Sequence, residues 1–151
     1  MAEVIAQNDR ARYDYEILET FEAGIVLSGQ EVKAAKFGLM KLKGAHVVFR
    51  GKEAYLLNAH VARYPKAGPL PDYDPERSRK LLLHNKELTK LRSKLETKGL
   101  TIVPLRAFIK SGRIKVDIGL ARGKREYEKR ETIKKRDLDR ELRSHLKQSR
   151  H

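Results

Sequence analysis

The sequence predicts a mainly β fold: a closed or partly open β-barrel of about six strands, two or three peripheral helices and a basic C-terminal tail. Three observations point there. Apolar residues recur at period 2 in several segments. The strand-sized segments are too many for a helical bundle, and no regular βαβ alternation announces a parallel sheet. The chain has 151 residues, enough for one ordinary domain, and 40% of them are hydrophobic, enough for a core.

The first strand is expected over Tyr13 to Leu27. Tyr13, Tyr15, Ile17, Phe21, Ala23, Ile25 and Leu27 share one face, with only Glu19 breaking it. Ser28 and Glu31 have capping-box spacing, so a short helix should follow and end near Phe37-Gly38. Met40 to Arg50 reads as a strand, Gly51-Lys52 as a hairpin turn, and Glu53 to Val61 as the partner strand. Four of the five prolines fall between Tyr64 and Pro75, which makes that stretch a loop. Asn85 can cap a helix carrying Leu88, Leu91 and Leu95, closed by Lys98-Gly99.

Leu100 to Ala121 reads as a long hairpin about a Ser111-Gly112 turn. That turn sets Ile109 opposite Ile114, Ala107 opposite Val116 and Leu105 opposite Ile118, all on one apolar face. The other face pairs Lys110 with Arg113, Phe108 with Lys115 and Arg106 with Asp117. Four cations and one aromatic suit an anionic partner, and suit a merely solvated sheet face equally well.

Lys and Arg number 34 against 20 Asp and Glu, a formal charge of +14. From Lys124 to His151 there are 11 Lys plus Arg and 6 Asp plus Glu, so the tail carries +5 and the body the remaining +9. We therefore expect a barrel domain over 1–123 and a basic tail over 124–151. Such a field favours a polyanion. The oligonucleotide-binding barrel is the commonest small barrel that carries nucleic acid.

Chemistry is harder to find. Cysteine is absent, which excludes disulfides, thiolate metal sites and a cysteine nucleophile. His46, His60, His84, His145 and His151 form no metal-type pair. Asp72 and Asp74 could hold magnesium, though turn-forming aspartate is the more ordinary reading. No phosphate loop, nucleophile elbow or dinucleotide fingerprint appears. We expect no enzyme, no cofactor and no metal. No apolar stretch could span a bilayer, and Met-Ala-Glu-Val-Ile-Ala-Gln lacks the features of a secretory leader, so a cytoplasmic protein is expected.

Basic clusters are the positive finding. Arg10 and Arg12 precede the first strand, and Arg77, Arg79 and Lys80 follow the proline loop. Lysines and an arginine line the polar side of the second helix, and Arg122, Lys124 and Arg125 surround Gly123. With aromatic residues at 7%, a folded RNA read by shape, phosphate and 2′-OH is favoured over a stacked single strand. In the tail, Leu138, Leu142 and Leu146 form only a thin stripe, supported by the pairs Glu126/Arg130, Glu131/Lys135 and Asp139/Arg143. We expect it to be disordered alone and helical when bound, with a helix docked on the barrel as the alternative.

The blocks ARYDYEILETFEAGIVLSGQEVK (Ala11 to Lys33), DPERSRKLLLH (Asp74 to His84), KGLTIVPL (Lys98 to Leu105) and GLARGKREYEKRETIKKRD (Gly119 to Asp137) carry a resemblance. In order and spacing, over nearly the whole chain, they are similar to the SsrA-binding protein (small protein B) family. The resemblance implies an oligonucleotide-binding-type barrel that binds the tRNA-like domain of transfer-messenger RNA (SsrA RNA). It implies delivery of that RNA, together with elongation factor Tu and GTP, to stalled 70S ribosomes for trans-translation. The tail would enter the empty mRNA channel near the 16S rRNA of the decoding centre. It implies a monomer that works without a membrane and catalyses nothing. A ribosomal or generic structured-RNA-binding barrel is the alternative.

Glu22, Leu82 and Lys115 match family positions tied to RNA binding, although Leu82 is expected to shape the barrel rather than touch RNA. The expected RNA-binding set is Arg10, Arg12, Tyr13, Glu22, Arg77, Arg79, Lys80, Leu82, Lys110, Arg113 and Lys115. The expected ribosome-facing set is Arg122, Gly123, Lys124 and Arg125 with Glu128, Lys129 and Arg130, the last three matching a motif many members write Asp-Lys-Arg. Tyr13 stands where many members have histidine, and Ala34-Ala35-Lys36-Phe37-Gly38 replaces the usual Ser-Leu-Arg-Ala-Gly.

Overall fold

The computed structural model describes residues 3–149. The side chains of Glu126, His145 and Leu146, and the whole of His151, lie outside the described residues. In chain order the elements are β1 (Glu3–Gln7), α1 (Ala11–Asp14), β2 (Tyr15–Ile25), α2 (Gly29–Lys36), β3 (Met40–Lys41), β4 (His46–Arg50) and β5 (Glu53–Leu57). They continue with β6 (His60–Val61), a 3-10 turn (Pro65–Ala67), β7 (Arg79–Leu82), α3 (Asn85–Leu95), β8 (Leu100–Lys110), β9 (Arg113–Gly123) and α4 (Glu126–Ser149). Seven strands make an antiparallel sheet in the order β1-β8-β9-β2-β7-β5-β4, and β3 pairs with β6 in a second, two-stranded sheet. The edge strand β4 comes back against β8, so the sheet curls into an open barrel. The fold is mainly β, as the period-2 segments predict.

The expected hairpin from Met40 to Val61 is present but broken on both arms. Arg50 faces Glu53 across the turn, and the pairing runs back to His46 opposite Leu57. There the arms bend, at Gly44 (φ 79°) and Asn58 (φ 63°), and the outer halves continue as β3 and β6. The left-handed backbone at both positions lets the ribbon turn a corner. Around it Met40, Leu42, Ala45, Ala59 and Val61 are all buried, so both halves feed the same core.

The expected first strand is also shorter than its pattern. Tyr13 lies in α1, where Tyr13 N–H and Asp14 N–H donate to the Arg10 carbonyl at 3.1 and 3.0 Å. A bulge between Ile17 and Glu19 then reverses the alternation. Phe21 and Ala23 enter the main core, while Ile17 and Tyr15 pack with Ala11, Val103 and Ala121 in a separate small cluster.

The Ser28–Glu31 capping box forms, with Glu31 Oε1 accepting from Ser28 N–H at 2.9 Å and Ser28 Oγ from Glu31 N–H at 3.4 Å. α3 is capped by His84 rather than Asn85, through His84 N–H donating to Glu87 at 3.2 Å. It ends at Leu95, short of Lys98-Gly99, and presents a fully buried Leu91 to the core.

The β8–β9 hairpin keeps the expected register from Lys110–Arg113 through Arg106–Asp117. The pairing of Leu105 with Ile118 is replaced by Pro104 with Ile118, because Leu105 is bulged out. Its carbonyl accepts from Asn8 N–H at 2.8 Å, and the Asn8 side-chain amide donates to Pro104 O at 2.9 Å. The segment after β1, which the sequence pattern leaves unassigned, thus sets that bulge.

Candidate nucleic-acid interface

Side-chain alternation on the central strands sorts the predicted residues into two faces. On β7, Arg79 and Leu81 point into the barrel (0% and 2% exposed), and Lys80 and Leu82 point out. Leu82, expected to shape the barrel, is 53% exposed, and its neighbour Leu81 fills that role instead.

Leu82 lies opposite Gly24 on β2, Gly24 opposite Lys115 on β9, and Lys115 opposite Phe108 on β8. A side chain at Gly24 would place Cβ 3.2 Å from Leu82 Cβ and 3.7 Å from Lys115 Nζ. The missing side chain is therefore what brings an exposed aliphatic and a cation together. Glu22, two residues back on the same face, binds Lys110 Nζ at 3.1 Å. So Glu22, Leu82 and Lys115, distant in sequence, converge on one patch of the outer sheet.

The four hairpin cations are not equivalent. Arg106 pairs with Asp117 at 2.7 Å and Lys110 with Glu22. Among the described residues, Lys115 and Arg113 have no carboxylate partner, which leaves them the cations most available to phosphate. Phe108 is only 2% exposed, with the Arg106 guanidinium 4.8 Å above its ring. It is a covered residue, not a stacking platform.

The basic cluster after the proline loop does not survive as a surface. Arg79 is fully buried, donating to Glu31 Oε2 from Nε (2.8 Å) and Nη2 (2.6 Å) and to the carbonyls of Ala59 and Pro75. Arg77 also donates to Glu31, and Tyr73 Oη donates to Glu31 Oε2 at 3.1 Å and lies 2.6 Å from the Val61 carbonyl. Arg79 cannot reach RNA from this position, and Arg77 is turned inward to the same carboxylate. Only Lys80, bonded to Glu53 at 3.1 Å, stays on the outer face.

Burial, the largest single influence on Glu31, would raise its pKa. Hydrogen bonds from Arg77, Ser28 N–H and Arg79, with the Arg79 charge, together outweigh it and hold the carboxyl at about 2. Sequence reasoning saw Glu31 only as a helix cap. A glutamate on the face shared with Ala34 and Ala35 was the available signal.

Arg10, Arg12, Tyr13 and the tail residues form a second group. The Arg10 guanidinium sits 4.7 Å over the Tyr13 ring, and Lys129 and Arg136 of α4 approach it at 5.9 Å. Lys129 also reaches Asp14 at 3.7 Å. Arg122 bonds Glu16 and Glu128, and Lys124 Nζ donates to Arg12 O at 2.8 Å. Gly123 lies opposite Tyr15, while Arg125 and Arg130 are exposed. Arg10, Arg12 and Tyr13 therefore share a location with the root of the tail rather than with Lys115. Arg136 and Arg140, which the sequence reading did not single out, line a groove with Arg12.

Asp74 Oδ1 accepts from Glu76 N–H at 2.9 Å, a turn-forming role. Among the described residues no cluster of His, Asp or Glu is arranged to hold a metal, and no helix is long and apolar enough to cross a membrane.

A family model described as SmpB protein matches residues 5–148. The chain is 54% identical over 141 residues to an SsrA-binding protein of Coprothermobacter proteolyticus, covering 93% of this chain and 94% of that one. It is 49% identical over 145 residues to an SsrA-binding protein of Trichodesmium erythraeum, covering 96% and 93%. Among solved structures, a chain described as "tmRNA-SmpB: a journey to the center of the bacterial ribosome" is 48% identical, with a TM-score of 0.67 over 84% of this chain and 92% of that one.

Proposed function

The chain belongs to the SmpB protein family, and from that premise we propose that it binds the tRNA-like domain of transfer-messenger RNA and carries it to stalled ribosomes for trans-translation. One observation supports this above the rest: Glu22, Leu82 and Lys115 meet on one exposed sheet face across Gly24. Lys115 and Arg113 supply charge for phosphates, Leu82 an apolar contact to a sugar or base edge, and Glu22 an acceptor for a 2′-OH. The RNA is recognised as a folded shape, consistent with a hairpin face whose aromatic ring, Phe108, is covered.

The tail acts separately. With the cations of α4 on several sides, it follows the RNA-walled mRNA channel toward the decoding centre, where a chain of that sign gains from counterion release. Elongation factor Tu and GTP ride on the same RNA, and the protein works as a cytoplasmic monomer without catalysing a reaction. Filter binding tests the first step: transfer-messenger RNA should bind far more tightly than a duplex of equal length. Equal affinity for the two would sink the proposal and favour a generic RNA-binding barrel.

A further inference from the structure

Several cations on the body come already neutralised: Lys80 by Glu53, Lys90 by Glu19, Arg106 by Asp117, Lys110 by Glu22 and Arg122 by Glu16. The end of α2 is different. Lys33, Lys36 and Lys66 are exposed, and among the described residues none has an ion-pair partner. Phe37, directly after Lys36 and one helical turn after Lys33, is the most exposed large hydrophobic residue described, at 70%. Its backbone is fixed, since Phe37 N–H donates to Lys33 O at 3.0 Å and Gly38 N–H to Ala35 O at 3.0 Å.

The ring is braced on one side by Tyr64, edge-on at 6.2 Å with the planes at 75°. Tyr64 in turn packs on the core, and its N–H donates to Gln30 Oε1 at 2.9 Å. Arg63 ties the loop together by donating to the carbonyls of Tyr64, Pro65 and Gly68. A braced ring with an open face and unpaired ammonium groups on the same stretch of surface matches a base and its flanking phosphates. An apolar protein surface would leave those lysines without partners.

We propose that Phe37, preceded in α2 by Lys33 and Lys36 and braced by Tyr64, which shares a groove with Lys33 and Lys66, is a stacking site for one unpaired nucleobase of the folded RNA that this chain carries. The site lies apart from the Leu82–Lys115 patch, and it rests on the RNA-binding reading given above. It adds a fixed point that orients the RNA on the barrel, where phosphate contacts alone would allow sliding.

Full-length protein and transfer-messenger RNA are titrated over a range of salt concentrations. Phe37→Ala should bind about 5- to 150-fold more weakly, the range for losing one stacked base, with the salt slope unchanged because no phosphate contact is lost. Phe37→Trp should keep wild-type affinity. Lys36→Gln should flatten the slope by about 0.7–0.9, the value for one released counterion. Since Phe37 lies outside the core, unchanged thermal unfolding serves as the folding control.

Wild-type affinity in Phe37→Ala would overturn the proposal. Undiminished RNA binding with lost delivery to stalled ribosomes would also overturn it, by assigning the patch to another partner. If the wild-type protein itself fails to prefer this RNA over a duplex, the underlying reading falls too. A duplex of equal length, titrated with the wild-type protein alongside, shows that outcome before any variant is made.

Discussion

Replacing Glu31 by Gln keeps the helix cap, because glutamine can also accept from Ser28 N–H, and removes only the charge. Arg79 then remains fully buried without its counter-ion. Breaking a buried pair in this way costs about 3–5 kcal/mol, a large share of the roughly 5–15 kcal/mol that holds a small domain together. The same carboxylate gives an independent estimate. Its pKa falls from 4.5 to about 2 on folding, and a drop of that size is worth about 3 kcal/mol at neutral pH.

Because the folded value is depressed, this stability is present above pH 4.5 and is lost as pH falls towards 2. At pH 3 only about 1 kcal/mol remains, so the gap between wild type and Glu31→Gln should narrow by about 2 kcal/mol between pH 7 and pH 3. Urea denaturation of both proteins at the two pH values measures it. Every other carboxylate is common to the pair, so the difference isolates Glu31. A gap that stays constant with pH, or one below about 1 kcal/mol at pH 7, would refute the buried ion pair as the clasp of the proline loop.

Other consequences are read by different assays. Lys115→Gln should weaken transfer-messenger RNA binding and reduce the salt slope by about 0.7–0.9, leaving urea stability unchanged. Gly119→Ala should cost about 1–3 kcal/mol by overpacking. Its Cβ would stand 3.0 Å from Ile17 Cγ2 and 3.3 Å from Leu105 Cδ1, and chemical denaturation reports the loss. Truncation before Glu126 should leave RNA affinity nearly intact and abolish tagging on stalled ribosomes; lost RNA affinity would mean that body and tail do not divide the work. A peptide of residues 126–149 should show little helix by circular dichroism in water, because its apolar stripe is thin.

Where structure depends on near neighbours, the chain spells it out. The β8–β9 register from Lys110–Arg113 to Arg106–Asp117 follows from one turn, Ser111-Gly112, and the period-2 rule. The α2 cap follows from Ser28 and Glu31, three residues apart. The family resemblance likewise implied that Glu22, Leu82 and Lys115 are binding positions. A +14 charge and the absence of cysteine already set the class of partner and excluded several chemistries.

Tertiary structure decided what those rules cannot reach. Arg79 looks like a surface cation until Glu31, 48 positions away, meets it inside the barrel. Leu82 looks like core until Arg79 and Leu81 take the inward positions on β7. The Leu105 bulge needs Asn8 to claim its carbonyl, 97 positions before it, and the breaks at Gly44 and Asn58 become corners only when the curled sheet demands them. For Arg79 and for the Leu105 bulge the deciding partner is far along the chain. Period, cap and turn are local properties, whereas burial and charge pairing are set by whichever distant group the curled sheet brings alongside.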